Sequence, residues 1–355
     1  MKNEYEMNNR SKNVAGYNRA VDRSAGRRVV TIGGGTGTFA LLSHLKKHPF
    51  TISAIVTMSD SGGSSRRLMD EFRRQLPLGD LRMSLVALAR NGALWREIFM
   101  HRFQQQEGEG PESKHGVSGH SLGNLVLKGL QDINDGNLLL AIEDAEELLN
   151  AAGHVLPVTL TQTMICADLE DGTTICDETE IDTRGKKDVG PISPILRLRL
   201  EPENAPACAQ AVRAIRRADT IIIGPGDLYT SLLPNLLVHD IARAVRESEA
   251  EKIYVCNLMT KHGETDGYKA SDFAETIHHY LGGRVDKIIV NDGPFAPDIL
   301  EMYAQESRAP VVVDRERLVQ IVPSLVIDHL NLENDGLARH DPERLVKALF
   351  PDEVL

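Results

Sequence analysis

The residues with the clearest chemical potential are the glycines of Gly33-Gly34-Gly35-Thr36-Gly37-Thr38. They follow the β-branched run Val29-Val30-Thr31-Ile32 and precede apolar residues at Phe39, Leu42 and Leu45, a pattern that predicts buried strand, tight loop and helix. Glycine lets the backbone approach a ligand and take positive φ, while a helix start aims free N–H groups at whatever sits there. The implied chemistry is anion binding, with a phosphate as guest; a plain glycine-rich βα turn is the alternative. Neither familiar nucleotide fingerprint fits. A P-loop needs Gly-Lys-Ser/Thr where Gly37-Thr38-Phe39 stands, and in dinucleotide register the third glycine falls on Thr38.

Further loops repeat this logic. A second apolar run, Thr51 to Met58, empties into Asp60-Ser61-Gly62-Gly63-Ser64-Ser65, where Asp60 stands at a strand tip suited to a ribose or a metal, or caps a helix. In Gly79-Asp80-Leu81-Arg82, Asp80 and Arg82 either line the same cleft or Asp80 starts a helix. Gly119-His120-Ser121-Leu122-Gly123 matches the G-x-S-x-G nucleophile elbow letter for letter. An elbow needs a buried strand before its serine, and the polar stretch 104–119 cannot supply one, so a helix start presenting Ser121 and Asn124 to the cleft is the better reading. Strand Thr220 to Ile223 runs into Gly224-Pro225-Gly226-Asp227-Leu228-Tyr229, where the ring of Tyr229 could stack on a base or sugar. Strand Lys252 to Cys256 precedes Asn257, Thr260, Glu264 and Asp266, which suit a polar cleft wall, and Lys287 to Val290 ends in Asn291-Asp292-Gly293-Pro294. Arg339 lies just outside the helix start Asp341-Pro342, as a diphosphate clamp or a surface arginine. In open α/β sheets such loops gather beyond the carboxyl ends of parallel strands, where the ligand crevice lies.

The elements that position these residues read as one α/β domain over 27–355, with helices on both faces of a mostly parallel, Rossmann-like sheet. Residues 1–26 are polar without apolar period and are expected to be a disordered extension. Gly136 to Ala152 predicts a helix with Leu138, Leu139, Ile142, Ala145, Leu148 and Leu149 on its core stripe. From His154 to Glu180, and again over Ile195 to Leu200, the period becomes two, which predicts an antiparallel insertion over about 154–200 that offers a dimer or partner surface. The 355 residues are 41% hydrophobic and 26% charged, with a formal net charge of -11, which argues against non-specific nucleic-acid binding. No apolar run approaches a membrane span and no signal-peptide core begins the chain, so a cytoplasmic protein is expected. The four cysteines have no C-x-x-C spacing. A two-residue turn at Asp171-Gly172 would send the Cys166 and Cys176 sulfurs to opposite faces, whereas a three-residue turn would oppose them. In a reducing cytosol they are expected to be free, buried thiols. The twelve histidines are scattered, and no histidine-rich metal site is expected.

The ordered series of these motifs, from Gly33-Gly34-Gly35-Thr36-Gly37 through Asp60-Ser61-Gly62-Gly63-Ser64 and Ile223-Gly224-Pro225-Gly226 to Asn257-Leu258-Met259-Thr260 and Gly263-Glu264-Thr265, resembles the YvcK-type gluconeogenesis factor family. That family is a branch of the CofD-like group, which includes 2-phospho-L-lactate transferase. The resemblance implies a Rossmann-like core with an inserted subdomain and a cytoplasmic regulator that binds a UDP-sugar such as UDP-N-acetylglucosamine and supports cell shape on gluconeogenic carbon sources. No cofactor is expected to be required; Mg²⁺ with the nucleotide, held by Asp60 at its strand tip, and a homodimer through the insertion are expectations read from the residues themselves. The transferase branch implies the alternative, group transfer from a nucleotide-activated 2-phospholactate-type substrate. Met83, Asp227 and Arg66 depart from the branch's usual residues. On this reading Gly33 to Thr38 and Gly224 to Gly226 cradle phosphates, Asp60 and Asn257 meet ribose or metal, and Arg339 clamps the diphosphate or sugar.

Overall fold

The computed structural model describes residues 26–59, 76–103, 117, 119–187, 192–334 and 336–354. In chain order its strands are β1 (Arg28–Gly33), β2 (Thr51–Val56), β3 (Gly153–Pro157), β4 (Met164–Leu169), β5 (Thr174–Cys176), β6 (Ile195–Glu201), β7 (Thr220–Ile223), β8 (Glu251–Val255), β9 (Lys287–Asn291), β10 (Ser324–Asp328), β11 (Asn331–Asn334) and β12 (Leu337–His340). Seven of them form one sheet in the order β10-β9-β8-β7-β1-β2-β3, and every pairing within it is parallel. Val29 to Gly33 are all buried in β1, and successive strand side chains point to opposite faces, so both faces of the sheet are covered. That is why these strands read as continuous β-branched runs and not as alternating ones. The helices Gly35–Leu45, Gly79–Leu88 and Pro342–Leu349 pack together in one group, and Ala209–Arg217, His239–Glu247 and Ala270–Leu281 in another.

Three expectations need correction. The run from His154, assigned to the insertion by its period of two, begins in β3, an edge strand of the main sheet in register with β2 from Ile52↔Gly153 to Val56↔Pro157. Gly153 permits that approach, because a Cβ there would stand 2.8 Å from the Ile52 carbonyl oxygen. The antiparallel sheet is β5-β4-β6, and between β5 and β6 it carries the helix Glu178–Lys187. That helix buries Ile181, and its largely polar sequence gave little apolar period to read.

Cys166 and Cys176, expected as free thiols, are joined in a disulfide. The turn between β4 and β5 has three residues, Glu170, Asp171 and Gly172; Gly172 takes φ +85° and the Leu169 amide donates to the Thr173 carbonyl at 2.9 Å. This places Cys166 opposite Cys176 in the ladder. Cys208 and Cys256 are free and buried, as expected. In the helix Leu138–Leu148 the stripe Leu138, Ile142 and Ala145 is buried, while Leu148 is half exposed.

Candidate functional site

Sheet order reverses between β1 and β7: from β1 the chain proceeds outward through β2 and β3, and from β7 outward the other way to β10. Loops leaving the carboxyl ends of these two strands diverge and leave a crevice between them. A cavity of about 310 Å³ lies there, lined by Gly34, Gly35, Thr36 and Gly37 after β1, Pro225, Gly226 and Asp227 after β7, and Asn257, Thr260, Lys261 and Glu264 after β8. Asp182 of the insertion helix, Arg308, Arg339 and His340 complete its wall.

The glycines act through close approach. Gly35 opens its helix at φ +69°, and a Cβ on Gly37 would stand 2.8 Å from the Pro225 carbonyl oxygen. That same oxygen accepts from the Thr38 hydroxyl at 3.1 Å, and the Asn257 side-chain amide donates to the Gly226 carbonyl at 2.9 Å. The turns after β1, β7 and β8 are therefore stitched into one surface that brings two glycine turns and a helix N-terminus together, the ingredients of an anion nest. Asp80 accepts from the Gly35 amide at 2.9 Å and so orients the first turn from behind.

Not every expected residue reaches the cavity. Gly33, Thr38 and Gly224 support the turns without lining it; Gly224 takes φ +88° and a Cβ on Gly33 would collide with the Thr38 hydroxyl at 2.6 Å. Arg82, Ser121 and Asn124 form a separate buried cluster, in which Arg82 donates to the Ser121 hydroxyl and to Asn124 Oδ1 at 2.8 Å. Ser121 caps the helix Leu122–Ile133 by accepting from the Asn124 amide, and among the described residues no strand leads into it as an elbow requires. Tyr229 is a correction. It is buried in a π-helical turn, Leu228–Leu232, with its hydroxyl on that of Tyr268 at 2.9 Å, and it borders a different groove beside Tyr280, so it has no face to offer a ligand in the cavity. Asp60, Ser61, Gly62, Gly63 and Ser64 lie outside the described residues, and with them the metal role given to Asp60.

Lys261, Asp182, Asp227 and Arg308 were not singled out as cavity residues from the sequence. The Lys261 ammonium donates to Asp182 and to Asp227 at 2.9 Å, and lies 2.9 Å from Glu264 Oε1. Burial pulls its pKa down, but the three carboxylates outweigh this and raise it, so Lys261 is charged. Glu264 is buried, and desolvation pushes its pKa up to about 7 against the opposing pull of Lys261. His340 meets the Cys256 carbonyl at 3.1 Å, and burial lowers its pKa to about 4, so it is neutral. Among the described residues, no three His, Cys, Asp or Glu side chains gather as a metal ion would require, and no helix is long and apolar enough to cross a membrane.

The same combination of sheet and loops recurs in known proteins. A family model described as 2-phospho-L-lactate transferase CofD matches residues 29–329. The chain is 41% identical over 325 residues to the gluconeogenesis factor of Halalkalibacterium halodurans, covering 91% of this chain and 96% of that one. It is 37% identical over 323 residues to the gluconeogenesis factor of Bacillus subtilis, with 91% and 96% covered. The X-ray crystal structure of protein BH3568 from Bacillus halodurans superposes with a TM-score of 0.83 at 40% identity, over 92% of this chain and 99% of that one. The chain therefore belongs to the CofD family, in its YvcK-type gluconeogenesis factor branch.

Proposed function

We propose that this chain is a cytoplasmic regulator that binds a nucleotide diphosphate sugar, a UDP-sugar such as UDP-N-acetylglucosamine, and supports cell shape during growth on gluconeogenic carbon sources. The observation that carries the reading is the convergence of the turns after β1 and β7 on one cavity of about 310 Å³, with Arg308 and Arg339 on its wall. Amides of the turn and helix start at Thr36 and Gly37, and of Gly226, suit the diphosphate, and the two guanidiniums suit its charge. The gluconeogenesis factor names of its relatives support a role in carbon metabolism. Calorimetric titration with a panel of nucleotide sugars, with and without Mg²⁺, tests the binding. The expected result is micromolar affinity for a UDP-sugar without turnover; absence of heat and of thermal shift with every member refutes it.

One observation favours a second reading, a transferase of the 2-phospho-L-lactate type. Glu264 faces the cavity with a pKa of about 7, as a group that exchanges protons near neutrality would. Mg²⁺-dependent consumption of a nucleotide-activated phospholactate, lost in Asp60→Asn, would establish that reading in place of the first.

A further inference from the structure

We propose that Asp182, Asp227 and Glu264, arrayed around Lys261, select an uncharged, hydroxyl-bearing sugar on the bound diphosphate and reject an acidic one. The inference rests on the nucleotide-sugar reading of the cavity and adds which sugars it admits.

Two independent observations support it. The first is charge. Asp182, Asp227 and Glu264 face one ammonium, and even where Glu264 holds a proton the two aspartates outnumber it; Lys261 spends hydrogen bonds on Asp182 and Asp227 while lying against Glu264, so it has little left to offer a ligand anion. The second is an open acceptor. Glu264 Oε1 is buried in a side chain only 1% exposed, and the Lys261 ammonium at 2.9 Å meets it outside good hydrogen-bond geometry, which leaves an acceptor position on this oxygen open. An O–H or N–H of a ligand would satisfy it, and a second carboxylate would not.

Position completes the argument. Asp227 directly follows Gly226, so this wall begins where the amide cradle ends, beside the diphosphate. Asp182 comes from the insertion helix Glu178–Lys187, which is seated firmly: a Cβ on Gly185 would stand 2.7 Å from the His262 carbonyl carbon. Hydroxyls of a neutral sugar find acceptors on this wall, while a sugar carboxylate there meets excess negative charge in a partly desolvated site.

UDP-glucose and UDP-glucuronate differ only by a carboxylate in place of a hydroxymethyl group. Calorimetry on the full chain should show UDP-glucose binding about tenfold or more tightly than UDP-glucuronate. In Asp227→Asn, and separately in Asp182→Asn, the gap should narrow to about threefold or less through tighter binding of UDP-glucuronate, since each change removes a negative charge and releases Lys261. A merely structural role would weaken both ligands together. Asp227 is the first choice because its side chain is 47% exposed, and melting temperatures confirm that each variant folds. Equal wild-type affinities overturn the inference alone, as would be found if the ribose occupied this wall, and so does a gap unchanged in both variants. Failure of every nucleotide sugar to bind removes the nucleotide-sugar reading itself and this inference with it.

Discussion

Replacing Gly37 by alanine puts one methyl group between the two turns proposed to hold the diphosphate. The new Cβ would stand 2.8 Å from the Pro225 carbonyl oxygen, 3.0 Å from its carbon and 3.4 Å from the Gly226 amide nitrogen. These are backbone atoms, which cannot rotate aside, so the whole turn after β7 must move. Overpacking of this kind costs about 1–3 kcal/mol. Displacing the Pro225 carbonyl also breaks the bond from the Thr38 hydroxyl, worth about 1 kcal/mol. Against this, alanine is the better helix former by at most about 1 kcal/mol. The net expectation is a loss of about 1–3 kcal/mol of stability. Gly129→Ala is the control: Gly129 lies within the helix Leu122–Ile133 with nothing within 4 Å of its Cβ position, so the same substitution should stabilise by about 0.5–1 kcal/mol. Urea unfolding of both variants measures the difference, and calorimetry with a UDP-sugar measures the cradle. Displaced amides at Gly226 should weaken binding about tenfold in Gly37→Ala and leave Gly129→Ala unchanged. If Gly37→Ala is as stable as its control and binds like wild type, the two turns do not form one rigid cradle.

Removing Lys261 as Lys261→Met should cost about 1–3 kcal/mol, because Asp182 and Asp227 remain partly solvated when their partner is lost. The loss should be larger at pH 8 than at pH 5.5, where Glu264, whose pKa burial raises to about 7, is protonated and no longer needs the ammonium; an equal loss at both refutes the assignment. Glu264, whose pKa burial raises to about 7 from an ordinary 4.5, holds a proton in the folded chain that the unfolded chain releases. Its contribution is fully present below the unfolded value and is lost as pH rises through about 7. The stability of wild type minus that of Glu264→Gln should therefore fall across this window in urea titrations at stepped pH, and a flat difference would count against it. Ser121→Ala should lose about 1–2 kcal/mol through its helix cap and its contact with Arg82, and an organophosphonate probe should leave wild-type Ser121 unlabelled; labelling would reinstate the hydrolase reading. Reducing the Cys166–Cys176 disulfide, whose cysteines are 10 residues apart, should lower stability by about 3 kcal/mol. Alkylation followed by mass spectrometry identifies the state of the pair, and free thiols in oxidised protein would refute the bond.

What the sequence determined by itself was local. Each β-branched run followed by glycine announced a buried parallel strand and a turn, because strand burial, glycine dihedral freedom and helix starts are written within about ten consecutive residues. The clustering of Gly34 to Gly37, Pro225, Gly226, Asn257 and Thr260 around one cavity was legible on that account, and so was Ser121 as a helix start in place of an elbow. Tertiary structure alone decided the rest. Whether His154 begins an insertion or an edge strand depends on a neighbour, β2, about a hundred residues away. The cysteine pair turned on one residue of turn length, which shifts a ladder by a full register. Tyr229 is buried with its hydroxyl on that of Tyr268, a partner 39 residues away that no local pattern names. Glu264 was legible as a cleft-wall residue, but its grouping with Lys261, Asp182 and Asp227 was not, since Asp182 lies 79 residues and Asp227 lies 34 residues from Lys261. A charge acquires its partner, its burial and its pKa only when separate loops close around it, and no local pattern encodes that closure.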